Sequence, residues 1–127
     1  MDTLSNALSK IMNAEKVGRK TAIIYPVSNV IRKIFDILAE NGYIGGYKEI
    51  KDNKGNSIEI NLIGMINKCG TIRPNFYIKL TEMEKFEKRY LPSKDFGILI
   101  LSATAGIITN NQAKEKKLGG KLLVYCY

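Results

Sequence analysis

The sequence predicts an α+β protein in which an N-terminal α-β-α-β-β lobe packs on a C-terminal, mostly β lobe with short helices. Apolar residues recur at helical spacing in two segments of the first half, and short β-branched and apolar runs fill the second half. The chain has 127 residues, 45% of them apolar, which is enough to form a buried core. Glycines and a change of rhythm over residues 64–74 set the boundary between the predicted lobes, residues 1–64 and 65–127.

A helix and a strand open the chain. Apolar residues follow one helical stripe over residues 4–12, and Asp2 or Thr3 is suited to cap the start of this helix. Gly18 breaks the pattern and predicts the helix end. The β-branched and apolar residues 21–25 then predict a strand.

A second helix and a hairpin complete the first half. Ser28 predicts the N-cap of the helix, and the pair Asn41-Gly42 predicts its end. Residues 43–51 and 57–63 predict the two strands of a hairpin around a turn rich in Asp, Asn and Gly. The clearest period-2 signal in the chain is the alternation of Ile58, Ile60 and Leu62.

The second half begins with a short strand and a charged helix. Residues 75–80 predict the strand, and Thr81 with Glu84 forms a Thr-x-x-Glu capping box that opens the helix. The pair Leu91-Pro92 ends this helix, because the residue before proline avoids helical geometry. Residues 98–101 are continuously apolar and predict a buried strand.

The C-terminal segment predicts a helix, a turn and a closing strand. Thr109 and Gln112 form a second capping box, which opens a helix that continues through Lys117. The pair Gly119-Gly120 predicts a turn, and residues 121–127 predict the last strand. The second lobe is therefore expected to be mostly β.

The charge balance indicates a polyanionic partner, with nucleic acid as the first candidate. The chain has 20 Lys and Arg against 12 Asp and Glu, a net charge of +8. Nine basic and seven acidic residues give residues 1–64 a net charge of +2. Eleven basic and five acidic residues give residues 65–127 a net charge of +6, so the main anionic contact is predicted there.

The absence of certain residue types narrows the chemistry. The chain has no His, which excludes Ser-His-Asp catalysis and every His-containing metal site. Cys69 and Cys126 lie far apart without a C-x-x-C motif, so neither a zinc site nor a cofactor is predicted. Their spacing leaves a disulfide open, but two thiols in a chain without a signal peptide are more typical of reduced cytosolic residues.

No membrane partner is predicted. The N-terminus lacks a basic segment followed by an apolar run, and the longest apolar run, residues 97–101, is far shorter than the ~20 residues that a spanning helix needs. We therefore expect a soluble, cytoplasmic protein that is a monomer when free.

A hydroxyl-bearing segment and a basic helix are the candidate nucleic-acid contacts. Residues 102–106 place Ser and Thr among small residues, where hydroxyls and backbone N–H groups can reach bases, sugars or phosphates. An ordinary strand-to-strand turn explains the same residues. Lys114, Lys116 and Lys117 suit a phosphate backbone, or alternatively a solvated helix end. Tyr125 and Tyr127 can stack on bases or pack in the core.

The sequence resembles the ribosomal protein S8 family of the small subunit over essentially its whole length. The resemblance is strongest in the run Gly97-Ile98-Leu99-Ile100-Leu101-Ser102-Ala103-Thr104-Ala105-Gly106 and again through Gly119-Gly120-Lys121. Ile11-Met12-Asn13-Ala14 and Glu40-Asn41-Gly42-Tyr43-Ile44 are similar to the family's opening helix and hairpin entry. Residues 82–96 resemble the archaeal and eukaryotic version of the family.

The resemblance implies a structural role in the small ribosomal subunit. It implies binding to an irregular, partly unpaired helix in the central domain of the small-subunit rRNA, early in assembly, next to neighbouring ribosomal proteins. Bacterial relatives also bind a similar fold in their own mRNA, which makes the chain's own mRNA a further candidate partner. The RNA-binding residues that the resemblance and the charges assign are Ser102, Ala103, Thr104, Ala105, Gly119, Gly120, Lys121, Lys114, Lys117, Thr3, Asn6, Lys10 and Lys54.

Two other classes of function compete with this prediction. A small enzyme would have to use Glu84 or Cys69, and no nucleophile–base pair supports it; Glu82, Glu84 and Glu87 are better explained by a capping box and a solvated helix face. A protein–protein adaptor would use the apolar C-terminal strand as a sheet edge.

Overall fold

The computed structural model describes residues 3–25, 28–52, 55–72, 77–93 and 96–127. In these residues the chain forms four α-helices and two antiparallel sheets, which confirms the predicted α+β class. It divides into two compact units, Met1–Lys68 and Cys69–Tyr127.

The first unit has the predicted α-β-α-β-β order. Its helices and strands are α1 (Thr3–Lys16), β1 (Thr21–Ile24), α2 (Asn29–Glu40), β2 (Ile44–Asp52) and β3 (Gly55–Leu62). The three strands form an antiparallel sheet in the order β1-β3-β2, so β3 is the central strand. Ile58 and Ile60 of β3 are fully buried, as the alternation predicts.

Local capping determines where the helices of this unit begin and end. Gly18 adopts φ 73°, and the N–H of Arg19 donates to the Ala14 carbonyl at 2.9 Å, which closes the end of α1. The Ser28 hydroxyl accepts a hydrogen bond from the Ile31 N–H at 3.3 Å and confirms the predicted N-cap of α2. Asp2, proposed as an alternative cap of α1, lies outside the described residues.

The second unit is mostly β. Its elements are β4 (Cys69–Thr71), β5 (Tyr77–Ile78), a 3₁₀ turn (Leu80–Glu82), α3 (Met83–Tyr90), β6 (Ile98–Ala103), β7 (Gly106–Thr109), α4 (Asn110–Lys116) and β8 (Gly120–Cys126). Strand β8 is central, since it pairs with β6 on one side and with β4 and β5 on the other. The C-terminal strand is therefore not the free edge that the adaptor hypothesis required.

One core of this unit joins α3 and α4 to the sheet. It contains Ile72, Ile78, Met83, Phe86, Leu91, Leu99, Leu101, Ile108, Ala113 and Leu122. Burying a side chain of this size contributes about 1.5–3 kcal/mol. Buried Asn110 connects the layers, because its Oδ1 accepts from the Leu99 N–H at 3.2 Å and its Nδ2 donates to Glu87 Oε2 at 2.5 Å.

The capping box predicted at Thr81 and Glu84 is wrong. The chain first forms the Leu80–Glu82 turn, and the helix that follows has no side-chain cap. The carboxylate that closes this turn is Glu82, whose Oε1 accepts from the Lys79 N–H at 3.0 Å. The helix end is as predicted, because Leu91 is extended, with φ −107° and ψ 146°.

The predicted Gly119-Gly120 turn also needs correction. Neither glycine has positive φ, and the left-handed residue after α4 is Lys117, with φ 57° and ψ 45°. The second capping box is confirmed, because the Thr109 hydroxyl accepts from the Gln112 N–H at 3.2 Å and Gln112 Oε1 accepts from the Thr109 N–H at 3.1 Å. Strand β4 was not predicted.

The two cysteines are buried on neighbouring strands and are not joined in a disulfide. Cys69 of β4 lies directly opposite Cys126 of β8. Burial, and secondarily the neighbouring Cys69, raises the pKa of the Cys126 thiol well above its ordinary range. Both groups therefore behave as small apolar core residues.

Candidate nucleic-acid interface

The predicted hydroxyl segment is the tip of a β-hairpin. Ser102 and Ala103 end β6, Thr104 and Ala105 form a two-residue turn, and Gly106 begins β7 with φ 110°. Only glycine adopts this φ readily, so the tight turn depends on it. Thr104 and Ala105 are exposed, and Ser102 and Ala103 are half-buried. The tip therefore presents a hydroxyl on a surface of small side chains.

Ser102 belongs to a row of side chains that crosses three more strands, the cross-strand row. It lies opposite Ile107 of β7 and opposite Lys121 of β8, and Lys121 lies opposite Tyr77 of β5. Directly opposed residues of antiparallel strands share a face, with Cβ atoms about 4.5–5.5 Å apart. A hydroxyl, an ammonium group and a phenol thus stand side by side.

The cross-strand row faces away from the core under α3 and α4. The next residues along β6 and β8 are Leu101 and Leu122, which are fully buried in that core. Because side chains alternate along a strand, Ser102 and Lys121 point to the opposite face. Tyr77 is 76% exposed, which is unusual for an aromatic side chain and leaves its ring available for stacking.

Sequence reasoning missed Tyr77. It placed this residue inside a predicted strand of residues 75–80, of which the structure describes residues 77–80; these form a strand only at Tyr77–Ile78, β5. Alternation with buried Ile78 was a readable sign that Tyr77 is exposed. Its position beside Lys121 depends on pairing with a distant strand, which sequence alone does not reveal.

The two glycines allow β8 to lie close to both of its neighbours. A Cβ on Gly119 would collide with the carbonyl oxygen of Ile78, and a Cβ on Gly120 would lie 2.5 Å from the carbonyl oxygen of Ser102. Strand packing therefore explains why glycine is needed at both positions. Gly120 and Lys121 reach the hydroxyl segment directly, which brings these predicted site residues together.

The lysines of the C-terminal helix have different environments. The ammonium group of Lys114 lies 2.7 Å from Glu87 Oε1, so its charge is compensated within the unit. Lys117 follows the last helical turn, is exposed, and forms no ion pair with a described residue. Lys117 is therefore the better candidate of the two for a phosphate contact.

The carboxylates considered for acid–base catalysis have structural partners. Glu82 accepts from the Lys79 N–H, and Glu87 accepts from Asn110 and Lys114. Glu84 lies 3.9 Å from Lys88 in an exposed i,i+4 pair.

Tyr125, considered for stacking on bases, packs on the core and stacks with Tyr90 at 5.7 Å between ring centroids.

Three of the four predicted contacts of the first unit lie on α1. Thr3 is the first residue of the helix, and Asn6 and Lys10 are exposed one turn apart. Lys54 lies outside the described residues.

In the part of the chain that the structure describes, no three His, Cys, Asp or Glu residues form a metal-binding group. Among the described residues, none of the helices has the length and hydropathy of a membrane-spanning segment.

Comparison with known families decides which class of function applies. The family model of ribosomal protein S8 matches residues 2–127. The chain belongs to the ribosomal protein S8 family. Members of this family are structural components of the small ribosomal subunit, where they bind rRNA and other ribosomal proteins and serve translation. Within this family, half-buried Ser102 with exposed Lys121 and Tyr77 on one sheet face, beside the exposed Thr104 turn, form a candidate rRNA interface.

Proposed function

We propose that this S8 protein recognises an irregular, partly unpaired helix in the central domain of the small-subunit rRNA and helps to assemble the subunit. The cross-strand row, in which half-buried Ser102 shares one sheet face with the exposed residues Lys121 and Tyr77 beside the Thr104 turn, carries the proposal. The main RNA-binding surface is assigned to residues 65–127, which hold a net charge of +6 from eleven basic and five acidic residues.

RNA geometry explains why small side chains suit this surface. Regular A-form RNA hides its base edges in a deep, narrow groove, so specific proteins read irregular loops, unstacked bases and 2′-hydroxyls. A hairpin tip of Ala, Thr and Gly lets the RNA backbone approach closely, and hydroxyls can then bond bases or riboses. The Tyr77 ring offers a stacking platform at the side of the same row.

Recognition and attraction are assigned to different residues. Ser102, Thr104 and Tyr77 position and read the bases, whereas Lys117 and Lys121 attract phosphates. On α1, Thr3, Asn6 and Lys10 add contacts to the RNA, and Lys54 and Lys114 complete the assignment. An mRNA segment with the same irregular geometry would compete for this surface, so autoregulation is part of the proposal.

Affinity for two matched RNA hairpins tests the proposal. One hairpin carries the internal loop of the central-domain helix, and the other is fully base-paired. Thr104→Val keeps the side-chain shape, removes the hydroxyl, and is expected to weaken binding to the looped hairpin by about 1–3 kcal/mol with little change in salt dependence. Equal binding of the native protein to both hairpins would refute specific recognition.

The lysines supply the complementary control. Lys117→Ala is expected to reduce the slope of log affinity against log salt by about 0.9, equally for both hairpins. Lys114→Ala is expected to change it less, because Glu87 already neutralises Lys114. The reverse pattern, a salt effect of Thr104→Val and a loop-specific effect of Lys117→Ala, would contradict the assigned roles.

A further inference from the structure

The two cysteines of the chain stand directly opposite each other across two strands of the second unit. Cys69 opens β4 and pairs with Cys126 of β8, and the register continues with Gly70 opposite Tyr125. Side chains follow this register, because a Cβ on Gly70 would lie 3.0 Å from the Tyr125 hydroxyl. Gly70 and Tyr125 therefore share one face of the sheet, and the two thiols share the other.

The hydrogen bonds between these strands place the two cysteines at a close position. The N–H of Ile72 donates to the carbonyl of Leu123 at 2.9 Å, so these opposed residues form a hydrogen-bonded pair. Hydrogen-bonded and non-hydrogen-bonded pairs alternate along antiparallel strands, which makes Cys69 and Cys126 a non-hydrogen-bonded pair. The Cα atoms of such a pair stand about 4.5 Å apart. Since a disulfide spans about 4.4–6.8 Å between Cα atoms, the two sulfurs can be joined with little movement of either strand.

We infer that Cys69 and Cys126 form a cross-strand disulfide when the chain folds under oxidising conditions, and that this bond closes the second unit. That unit spans Cys69–Tyr127, so the pair joins its first residue to its penultimate one. The closed loop has about 60 residues, and a loop of this length strongly restricts the unfolded chain. The chain has two cysteines in all, so no other thiol of the same molecule competes for either sulfur. The inference is independent of the proposed RNA binding.

The bond forms by exchange with a low-molecular-weight disulfide, such as oxidised glutathione, while the second unit is open. One cysteine thiolate attacks the small disulfide, which forms a mixed disulfide and releases one small thiol. The second cysteine thiolate attacks the protein sulfur of that bond, which joins the two cysteines and releases the second small thiol. The two protons of the cysteine thiols end on the two released thiols, and two electrons reduce the small disulfide.

Burial makes this pair a slow redox switch. Cys69 is 6% exposed and Cys126 is fully buried, and burial raises the pKa of the Cys126 thiol. Since exchange needs an accessible thiolate, the folded chain neither forms nor loses the bond rapidly. The redox state that is set during folding is therefore retained until β4 separates from β8.

Refolding of the full chain in a glutathione buffer tests the inference. One sample is diluted from urea into a fixed mixture of reduced and oxidised glutathione, and another stays in urea in the same mixture. After alkylation of free thiols in urea, intact mass gives the fraction of chains with the intramolecular bond. We expect the ratio of bonded to reduced chains to be at least about 10-fold higher in the refolded sample, because folding aligns the sulfurs. The bonded protein should also unfold at a urea midpoint about 1–2 M above that of the reduced protein.

The matched control is Cys69→Ala/Thr71→Cys, which keeps two cysteines and moves one of them along β4. Thr71 lies opposite Val124 and diagonal to Cys126, and diagonal positions are about 7–8 Å apart, beyond the reach of a disulfide. We expect this variant to lose the enrichment on refolding, and its urea midpoint in reducing buffer verifies that it folds. If it does not fold, the comparison of refolded and urea-held native chain decides alone. Native chains that refold with both thiols free, bonds that form only between molecules, or equal enrichment in the folded control would each overturn the inference.

Discussion

The substitution Gly120→Ala tests whether close packing of β8 on β6 sets the geometry of the candidate site. The added Cβ would lie 2.5 Å from the Ser102 carbonyl oxygen and 3.1 Å from the Ser102 carbonyl carbon. These are backbone atoms that cannot rotate away, so the strands must separate, at a cost of about 1–3 kcal/mol. Reduced freedom of the unfolded chain offsets about 0.4–1 kcal/mol. We therefore expect a net loss of about 0.5–2 kcal/mol in the free energy of unfolding.

Urea denaturation and RNA binding together measure this effect. The unfolding midpoint should fall without a change in m-value. Affinity for the looped hairpin should fall as well, because Ser102 and Lys121 move apart, whereas the salt slope should stay constant since no charge is lost. Gly45→Ala is the matched control: the nearest atom to its Cβ would be in the exposed side chain of Ile63, at 3.0 Å, and Asn61 would lie at ordinary van der Waals distance, 3.4 Å or more. A Gly120→Ala protein with native stability and native affinity would refute the reasoning.

Three further predictions concern the buried polar group, the titratable groups and the thiols. Asn110→Ala should lower the free energy of unfolding by about 2–3 kcal/mol in urea titrations, because it leaves a buried N–H of β6 unsatisfied; a loss below about 0.5 kcal/mol would contradict this role. The hydrogen bond to Asp36 raises the pKa of Tyr47 to about 12. Because the folded chain holds this proton more tightly than the unfolded chain, the contribution of Tyr47 to the free energy of unfolding is fully present below pH 10 and is lost between pH 10 and 12. Tyr47→Phe should therefore flatten the decline of stability in this pH range. Iodoacetamide at pH 8 should label Cys69 and Cys126 only after unfolding, and rapid labelling of the native protein would show that the thiols are accessible.

The parts of the fold that sequence predicted depend on interactions within a few residues. The cap of Ser28 on Ile31 and the box between Thr109 and Gln112 both span three residues, so the motif itself contains both partners. Strand β4 could not be predicted this way. Its three residues, Cys69–Thr71, have weak strand signal of their own and are ordered by pairing with the end of β8, far along the chain.

The wrong capping box shows how a correct motif can select the wrong residue. Thr81 and Glu84 fit the pattern, but the extended residue before the turn is Lys79, with φ −87° and ψ 160°. Glu82, three residues after Lys79, therefore accepts the free backbone N–H. The turn requires a carboxylate three residues after Lys79 and no hydroxyl. Since the sequence has a carboxylate both at Glu82 and at Glu84, the motif alone did not show which of them accepts the hydrogen bond.

The sequence predicted which residue types form the candidate site, but it indicated only part of the ion pairs and strand neighbours of these residues. Lys114 lies four residues after Asn110, on the helix face that packs towards α3, and this spacing could have indicated that its charge is compensated. The sequence had no comparable signal that Ser102, Lys121 and Tyr77 lie side by side, because strand register joins residues that are distant in sequence.

Strand register also explains why we propose different roles for the hydroxyl and the lysines. We expect the hydroxyl of Ser102, on a strand that is paired on both sides, to be fixed well enough to discriminate one RNA geometry from another. An exposed lysine on a flexible stem would instead follow any phosphate. Specificity should therefore be lost through substitutions that move β8 relative to β6, even when every side chain that contacts RNA is unchanged.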